Sequence, residues 1–320
     1  MASNVAVLER PQCEELHVSQ GGVALCLLVN RRTRTVRVID FRAGPSLLKR
    51  EIVQRIALEE RLERAFTVVE REEAASWLRL GFHKEGSIPG FYKRTDAQVL
   101  GMALAGDPGQ PLRPKRLTLA ALAHDTTDGA ERAYQAGRKL ARARLPTGSQ
   151  TLAGATLPSV RLQPARGVDV VRSVTAAVRS GRALTELEPF GRGGERLSYL
   201  ATARGSFSQL LSVECQPCFD NAFVELLTAP RSESEAWFVA AALQQLATVL
   251  EAQELRSVFA MSPAESVETT AALVAAGFRR TGRMPRHLLA QGDTSRGGPG
   301  GERQDALLWS RRLGDPAWEH

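Results

Sequence analysis

The sequence predicts an α/β protein made of two related units, and three observations carry this. Short runs that are apolar or alternate with charge, such as residues 23–29 and 35–41, are interleaved with stretches of helical period. One stretch occurs twice. Gly81-Phe82, Gly86 and Ile88-Pro89 stand at the same offsets as Gly277-Phe278, Gly282 and Met284-Pro285. Asp96-Ala97 and Asp305-Ala306 then precede apolar runs in both copies. So long a period marks a repeated domain rather than a solenoid unit. The chain's 320 residues, 43% apolar and 24% charged, suffice for two cores.

In the first unit, residues 1–104, the segment up to 41 reads as strands. Residues 23–29 form a buried strand, 30–33 a polar turn, and 35–41 a strand with one packed face. Gly44-Pro45-Ser46 opens a helix, with proline where its missing N–H costs little. Leu47, Leu48, Ile52, Ile56 and Leu62 are its expected apolar stripe. A strand at 66–69 follows, then a helix at 72–80 stopped by Gly81. Strands at 82–93 and 98–103 close the order β-β-α-β-α-β-β.

Residues 105–159 read as linker, rich in Pro, Gly, Ser and Thr, around one helix at 128–144 expected to pack on a neighbouring unit. The second unit spans 160–313, with a tail at 314–320. Its order is β-α-β-β-β-α-β-α-β-β. The first helix, 168–179, is expected to turn Val170, Val171, Val174 and Val178 inward, and the long helix at 233–253 to bury Trp237, Leu243, Leu246 and Leu250. A Gly-rich loop at 292–302 has no counterpart in the first copy.

The net charge of +7 comes mostly from Arg scattered among Glu, and three Tyr offer little to stack bases, which argues against a nucleic-acid partner. No basic segment followed by an apolar core opens the chain, and the run at 23–29 is too short for a bilayer, so no membrane partner is expected. Four cysteines make no disulfide framework, and a reducing cytoplasm is the simplest home. Cys215-Gln216-Pro217-Cys218 is at most half a zinc site, and no metal is expected. His83 and His287 follow the two Gly-Phe pairs at different offsets. The sequence is silent on oligomeric state.

The second order resembles that of the GNAT superfamily of N-acetyltransferases. The element Gly81-Phe82-His83-Lys84-Glu85-Gly86-Ser87-Ile88-Pro89-Gly90-Phe91-Tyr92-Lys93 resembles the β-lysine N-acetyltransferase family, whose first half ends in such an element before a full acetyltransferase domain. The resemblance implies two tandem GNAT-like mixed-sheet units, the first incomplete, joined through their closing strands. It also implies acetyl-CoA-dependent acetylation of a small, β-lysine-like amine.

The site follows from the same resemblance. Arg231-Ser232-Glu233-Ser234-Glu235-Ala236 stands where the family has Gln/Arg-x-x-Gly-x-Gly/Ala at a helix start. Arg231, Ser232, Ser234 and Ala236, with the backbone of Leu226, Leu227 and Thr228, would hold acetyl-CoA. Ser234 stands where glycine is expected. Glu233 and Glu235 would each oppose a phosphate at ~6 Å by about 3 kcal/mol at an effective dielectric near 20. Glu225, on the preceding strand, reads either as the base that takes the amine proton or as an exposed strand glutamate. The family's thiolate-facing tyrosine is Leu273 here, and Trp77 in the first copy. Two functions remain open: an active transferase, or a catalytically inactive relative that binds or scaffolds. The first copy reads as a packed, non-catalytic half.

Overall fold

A computed structural model describes residues 11–42, 44, 46–104, 126–144, 157–289 and 303–314. The Pro- and Gly-rich stretches read as linker, Pro45, the loop at 292–302 and nearly all of the tail lie outside the described residues.

The first half runs β1 (Cys13–Gln20), β2 (Val23–Asn30), β3 (Thr35–Asp40), α1 (Leu47–Glu59), β4 (Arg64–Glu70), α2 (Arg71–Arg79), β5 (His83–Ile88) and β6 (Ala97–Ala103). Helix α3 (Thr126–Arg142) follows. The second half runs β7 (Arg161–Pro164), α4 (Gly167–Arg179), β8 (Glu195–Thr202), β9 (Ser208–Gln216), β10 (Asn221–Leu226), α5 (Glu233–Ala252), β11 (Ser257–Pro263), α6 (Val267–Ala275), β12 (Arg279–Leu289) and β13 (Arg303–Arg312). The second half has the expected order. The first has one strand more than expected: β1 is a half-exposed edge strand, without the apolar run that would announce it.

All thirteen strands form one mixed sheet, in the order β1-β2-β3-β4-β6-β5-β12-β13-β11-β10-β9-β8-β7. Apart from β7, which has no counterpart in the first half, the order in one half mirrors that in the other about the β5–β12 junction. In each half one strand pair is parallel, β3 with β4 and β10 with β11.

The junction is made by the repeat. Gly81 and Gly277 stop α2 and α6 at φ +93° and +82°, a backbone region that a side chain disfavours. Five residues on, Gly86 of β5 pairs antiparallel with Gly282 of β12. Both glycines sit at irregularities in their own hairpins. A Cβ on Gly86 would lie 2.8 Å from the Gly282 Cα, and one on Gly282 would lie 2.5 Å from the Glu85 carbonyl oxygen. The strands meet at this distance only because neither residue has a side chain.

In each half two helices pack on one face of the sheet, α1 and α2 in the first and α5 and α6 in the second, while α4 packs on the opposite face against Leu200, Leu210 and Leu227. Val36 and Val38 of β3 join Ile52, Val53 and Trp77 in the first core, and Val224 and Leu226 of β10 join Trp237, Leu243, Leu246 and Leu250 in the second. The opposite face is shared. Phe66, Ile88, Phe91, Phe190, Phe223 and Phe259, drawn from both halves, form one aromatic cluster there. The Phe190 ring centre lies 4.6 Å from that of Phe223, tilted, and 5.0 Å from that of Phe259, edge to face. Helix α3 packs against α6, and Arg280 of β12 pairs with its Glu131 at 2.7 Å and lies 3.6 Å from the Tyr134 ring centre.

Two apolar stripes differ from expectation. On α4, Val170 and Val174 pack inward, but Val171 and Val178 are exposed, because the helix rests on the sheet along a narrow i, i+4 line. On α1, Leu47 is exposed, and the buried face is Ile52, Val53 and Ala57 with the aliphatic stem of Lys49.

Gly86→Ala and Gly282→Ala, made separately, are each expected to destabilise the protein by roughly 1–3 kcal/mol, the range for forced overpacking. Urea denaturation measures this. An unchanged midpoint in both variants would mean that the junction does not hold the strands at this distance.

Candidate functional site

Strands β10 and β11 pair in parallel from Asn221/Ser257 to Val224/Ala260, and there the ladder ends. Both strands continue, β10 to Leu226 and β11 to Pro263, without bonding to each other. They part because each is held from its outer side. Leu226 pairs with Leu211 of β9, and Met261 to Pro263 pair with β13.

A cavity of about 120 Å³ opens on the shared face at this parting. Leu226, Met261 and Pro263 line it at the split, Phe66, Phe190 and Phe223 give it an aromatic wall, and Arg37, Glu188, Glu225 and His287 bring ionisable groups. The walls come from both halves. Arg37 stands on β3 beside Leu28 and Phe66 of the neighbouring strands. The segment between α4 and β8 closes over the cavity and is latched by the first half. Arg32 pairs with Glu188, Arg37 donates to the Phe190 carbonyl at 2.6 Å, and Arg192 pairs with Glu15 at 2.6 Å.

Glu225 is not a solvated strand glutamate; its side chain keeps 11% exposure. Alternation along β10 turns it to the cavity face with Phe223, away from Val224 and Leu226. Its Oε2 accepts from Arg196 at 2.7 Å. Arg196 also donates to Glu214 at 2.8 Å and to the Glu188 carbonyl at 2.6 Å. Burial pushes the Glu225 carboxyl up to about 7, Arg196 pulls against this and Glu188 adds to it. Glu188 goes the other way. Burial would raise it, but Arg32, Thr185 and a backbone N–H hold it below the ordinary carboxylate value.

Thr185 joins the two carboxyls. Its Oγ1 lies 2.6 Å from Glu188 Oε2 and 2.8 Å from Glu225 Oε1, and accepts from the Leu187 N–H at 2.9 Å. A hydroxyl has one proton to donate. When it donates to the ionised Glu188, the contact with Glu225 is satisfied by a proton on Glu225. The opposed shifts of the two carboxyls assign the proton in the same way.

His287 lies on the opposite wall. Burial, with Arg64 and Arg303 nearby, holds its imidazole well below the usual value, so it is neutral. Its Nδ1 accepts from Arg64 Nε at 3.2 Å, which places the ring proton on Nε2. Burial also pushes the Arg37 guanidinium down to about 10.

The expected cofactor residues divide. Arg231, Ser232 and Ser234 are exposed at the start of α5. Ser232 is the N-cap and accepts from the Glu235 N–H at 3.2 Å. The Glu235 carboxylate turns back to accept from the Arg231 N–H at 2.9 Å. Glu233 accepts from Trp237 Nε1 at 3.1 Å. Ala236 is buried, and its N–H closes the first turn on the Ser232 carbonyl. On the strand, the Leu227 N–H donates to Leu210 and its carbonyl accepts from Leu184, while Thr228 donates to Gln209 at 2.8 Å. Leu226 borders the split. Leu273 is buried in the core and offers no proton to a thiolate.

In the first half β3 and β4 part likewise after Val38/Thr67, and the loop leaving β3 is tied down by Lys49 of α1. Its ammonium pairs with Asp40 and donates to the carbonyls of Arg42 at 2.6 Å and Gly44 at 2.8 Å. The CxxC cysteines differ in exposure, Cys215 buried and Cys218 exposed. No helix among the described residues is long and apolar enough to cross a membrane.

Arg32, Arg37, Thr185, Glu188, Arg196 and His287 escaped sequence reasoning. They come from both halves and belong to no local motif; alternation on β3 put Arg37 on the face expected to be unpacked, but the structure buries that face as well.

No family model and no curated protein matches this chain. Among solved structures, the ribosomal-protein-S18-alanine N-acetyltransferase from Escherichia coli is similar over 50% of this chain and 97% of its own, at 14% identity and a TM-score of 0.36. The spermidine N-acetyltransferase from Vibrio cholerae, solved with CoA and spermine, is similar over 48% and 95%, at 11% identity and a TM-score of 0.37. Scores this low carry neither family nor activity to this chain.

The proton on Glu225 makes stability depend on pH. Its folded value, about 7, lies above the ordinary 4.5, so the folded state binds a proton that the unfolded chain releases. That contribution is complete below pH ~4.5 and is lost as pH rises through 7. Glu225→Gln should therefore show a flatter stability profile over this window, by up to about 3 kcal/mol. Urea midpoints at pH 5 and pH 8 test this, and equal pH dependence in both proteins would refute the raised value.

Proposed function

We propose that the chain is an N-acetyltransferase that uses acetyl-CoA to acylate a small amine, with Glu225 as the base. The observation that carries this reading is the parting of β10 and β11 with Glu225 on the cavity wall beside it. The sequence resemblance to acetyltransferases supports the same chemistry.

Acetyl-CoA supplies an activated acyl group when bound. The apolar split lined by Leu226, Met261 and Pro263 fits its pantetheine arm. The start of α5 fits the pyrophosphate less well, because the chain's own Ser232 and Glu235 occupy two of its N–H groups. Glu235 is held there by one hydrogen bond and a 3.8 Å contact with Arg182, so its displacement is inexpensive. Within the cavity, ionised Glu225 would accept a proton from the amine, directly or through one water, as the nitrogen bonds to the acyl carbon; the C–S bond then breaks and CoA leaves as its thiolate, to be protonated by Glu225 or solvent. Arg196 and Thr185 hold the carboxyl in place. A base with a value near 7 is half-ionised at neutral pH, which suits it to accepting and releasing protons.

A second reading, a binding protein without catalysis, is favoured by the self-capped start of α5 and by buried Leu273 in place of a proton donor. A thermal-shift titration separates the two. Saturation at 100-fold the dissociation constant should stabilise the enzyme by about 2.7 kcal/mol. No shift with millimolar acetyl-CoA would support the second reading. In the transferase, Glu225→Gln is expected to lower kcat by roughly 10²–10⁴-fold with the acetyl-CoA shift retained. Glu235→Gln is expected to tighten acetyl-CoA binding several-fold, since it removes a carboxylate from the phosphate's place. Calorimetry reads this directly, and unchanged affinity would place the pyrophosphate elsewhere.

A further inference from the structure

Outside the cavity, the edge hairpin β1–β2 brings three different metal-binding groups together. His17 of β1 stands directly opposite Cys26 of β2, and Glu15, two residues back, shares their face. One ligand atom from each, a carboxylate oxygen, an imidazole nitrogen and the thiol sulfur, lie within 4.8 Å of one another. Glu15 Oε1 is already 2.7 Å from His17 Nε2, and the same carboxylate hydrogen-bonds the Cys26 thiol. The turn between the strands, Gly21-Gly22, has φ +56° and +81°, the paired positive values of a tight hairpin, which fixes the register that aligns the three. Cys26 is buried on the face away from the first core, which its neighbours Leu25 and Leu27 enter. Alone it would be a small apolar filler. Beneath a carboxylate and an imidazole it completes a donor set.

We propose that Glu15, His17 and Cys26 form a binding site for a zinc ion. Zinc bonds of about 2.0–2.3 Å put tetrahedral ligand atoms about 3.5 Å apart, so side-chain shifts of about 1 Å bring all three into range. Thiolate with imidazole suits zinc and excludes magnesium and calcium, which take oxygen ligands. His17 and Glu15 keep 53% and 33% side-chain exposure, so the fourth position faces water. Burial and Glu15 push the Cys26 thiol up to about 11, so without metal it is protonated. On binding, sulfur gives that proton to the solvent and its electron pair to the metal. Arg192 competes with the ion, because its Nε donates to Glu15 Oε1 at 2.6 Å. Its side chain is 49% exposed and free to turn outward when Glu15 changes partner. Arg192 belongs to the segment that closes over the cavity, so zinc would release one of that segment's ties to the first half. The site does not rest on the acyl-transfer reading.

The test is calorimetric titration of the full chain with zinc chloride, with cobalt(II) as a spectroscopic substitute. A single equivalent is expected to bind at micromolar metal, and the cobalt form to show thiolate-to-metal charge transfer. His17→Ala is expected to weaken zinc binding by at least the roughly tenfold that loss of an outer-sphere partner costs. Cys26→Ser should abolish the charge-transfer band, and Cys218→Ser should leave both readouts unchanged. Arg192→Ala is expected to tighten binding several-fold, because it frees Glu15. If Cys26→Ser fails to fold, His17→Ala, at an exposed position, decides by itself. Binding only at millimolar metal, no charge-transfer band in the wild type, a band that survives Cys26→Ser, or unchanged affinity in His17→Ala or Arg192→Ala would each overturn the proposal.

Discussion

The contact between Gly86 and Gly282 is the constraint on which the rest depends. Two strands that lack side chains at one point can approach closely enough to bond, and that bond makes two sheets into one. Once the sheets are continuous, the faces opposite α1, α2, α5 and α6 become a single surface, with α4 covering its far end. The aromatic cluster of Phe66, Phe190, Phe223 and Phe259 fills it, and the cavity is what that cluster leaves open at the parted strands. The cavity therefore belongs to neither half. Its proposed base comes from β10, its buried arginine from β3, and its neutral histidine from β12.

Buried charge explains why the cavity has the shape of a site rather than of a packing fault. Ionised groups leave water at a cost of several kcal/mol each, and partners recover most of it only when every polar atom is satisfied. The network around Glu225 meets that condition: Arg196 bridges two glutamates, Glu214 accepts from the N–H groups of Phe190 and Gly191, and Thr185 links Glu225 to Glu188. Against this completeness, the Nε of Arg37, enclosed beside the cavity, has no acceptor.

Much of the architecture was legible in the sequence, because it is encoded locally. Alternation gave the strands of the second half in order, and Gly81 and Gly277 announced the ends of two helices. Edge strand β1 escaped because an exposed edge needs no apolar run. Val171 and Val178 were misplaced because valine spacing shows which residues share a face, while the width of the contact with the sheet decides how many are covered. The twin Gly-Phe stretches were readable as architecture, but their partnership was not, since no local pattern says that a glycine's neighbour is its own repeat. The side of β10 on which Glu225 stands was legible from strand alternation. Arg37 and His287 were not, because what distinguishes them is a missing partner and a distant one.

The two halves show what one strand arrangement can become. In both, a parallel pair begins and then parts, leaving a slot beside the start of a helix. In the first half Lys49 fastens the loop beyond β3 through three acceptors, Asp40 and two carbonyls. In the second half Leu226, Met261 and Pro263 carry no charge to fill the split, and it stays open to the cavity. The helix that follows is capped by Ser232 and a returning Glu235, a weaker closure than a buried ammonium with three partners, because it is partly exposed and rests on one carboxylate hydrogen bond. An anion competing for those N–H groups has to displace only that side chain. The loop before the first helix is thus fixed by a buried ion with three partners, whereas the start of α5 is guarded by a residue that can be moved.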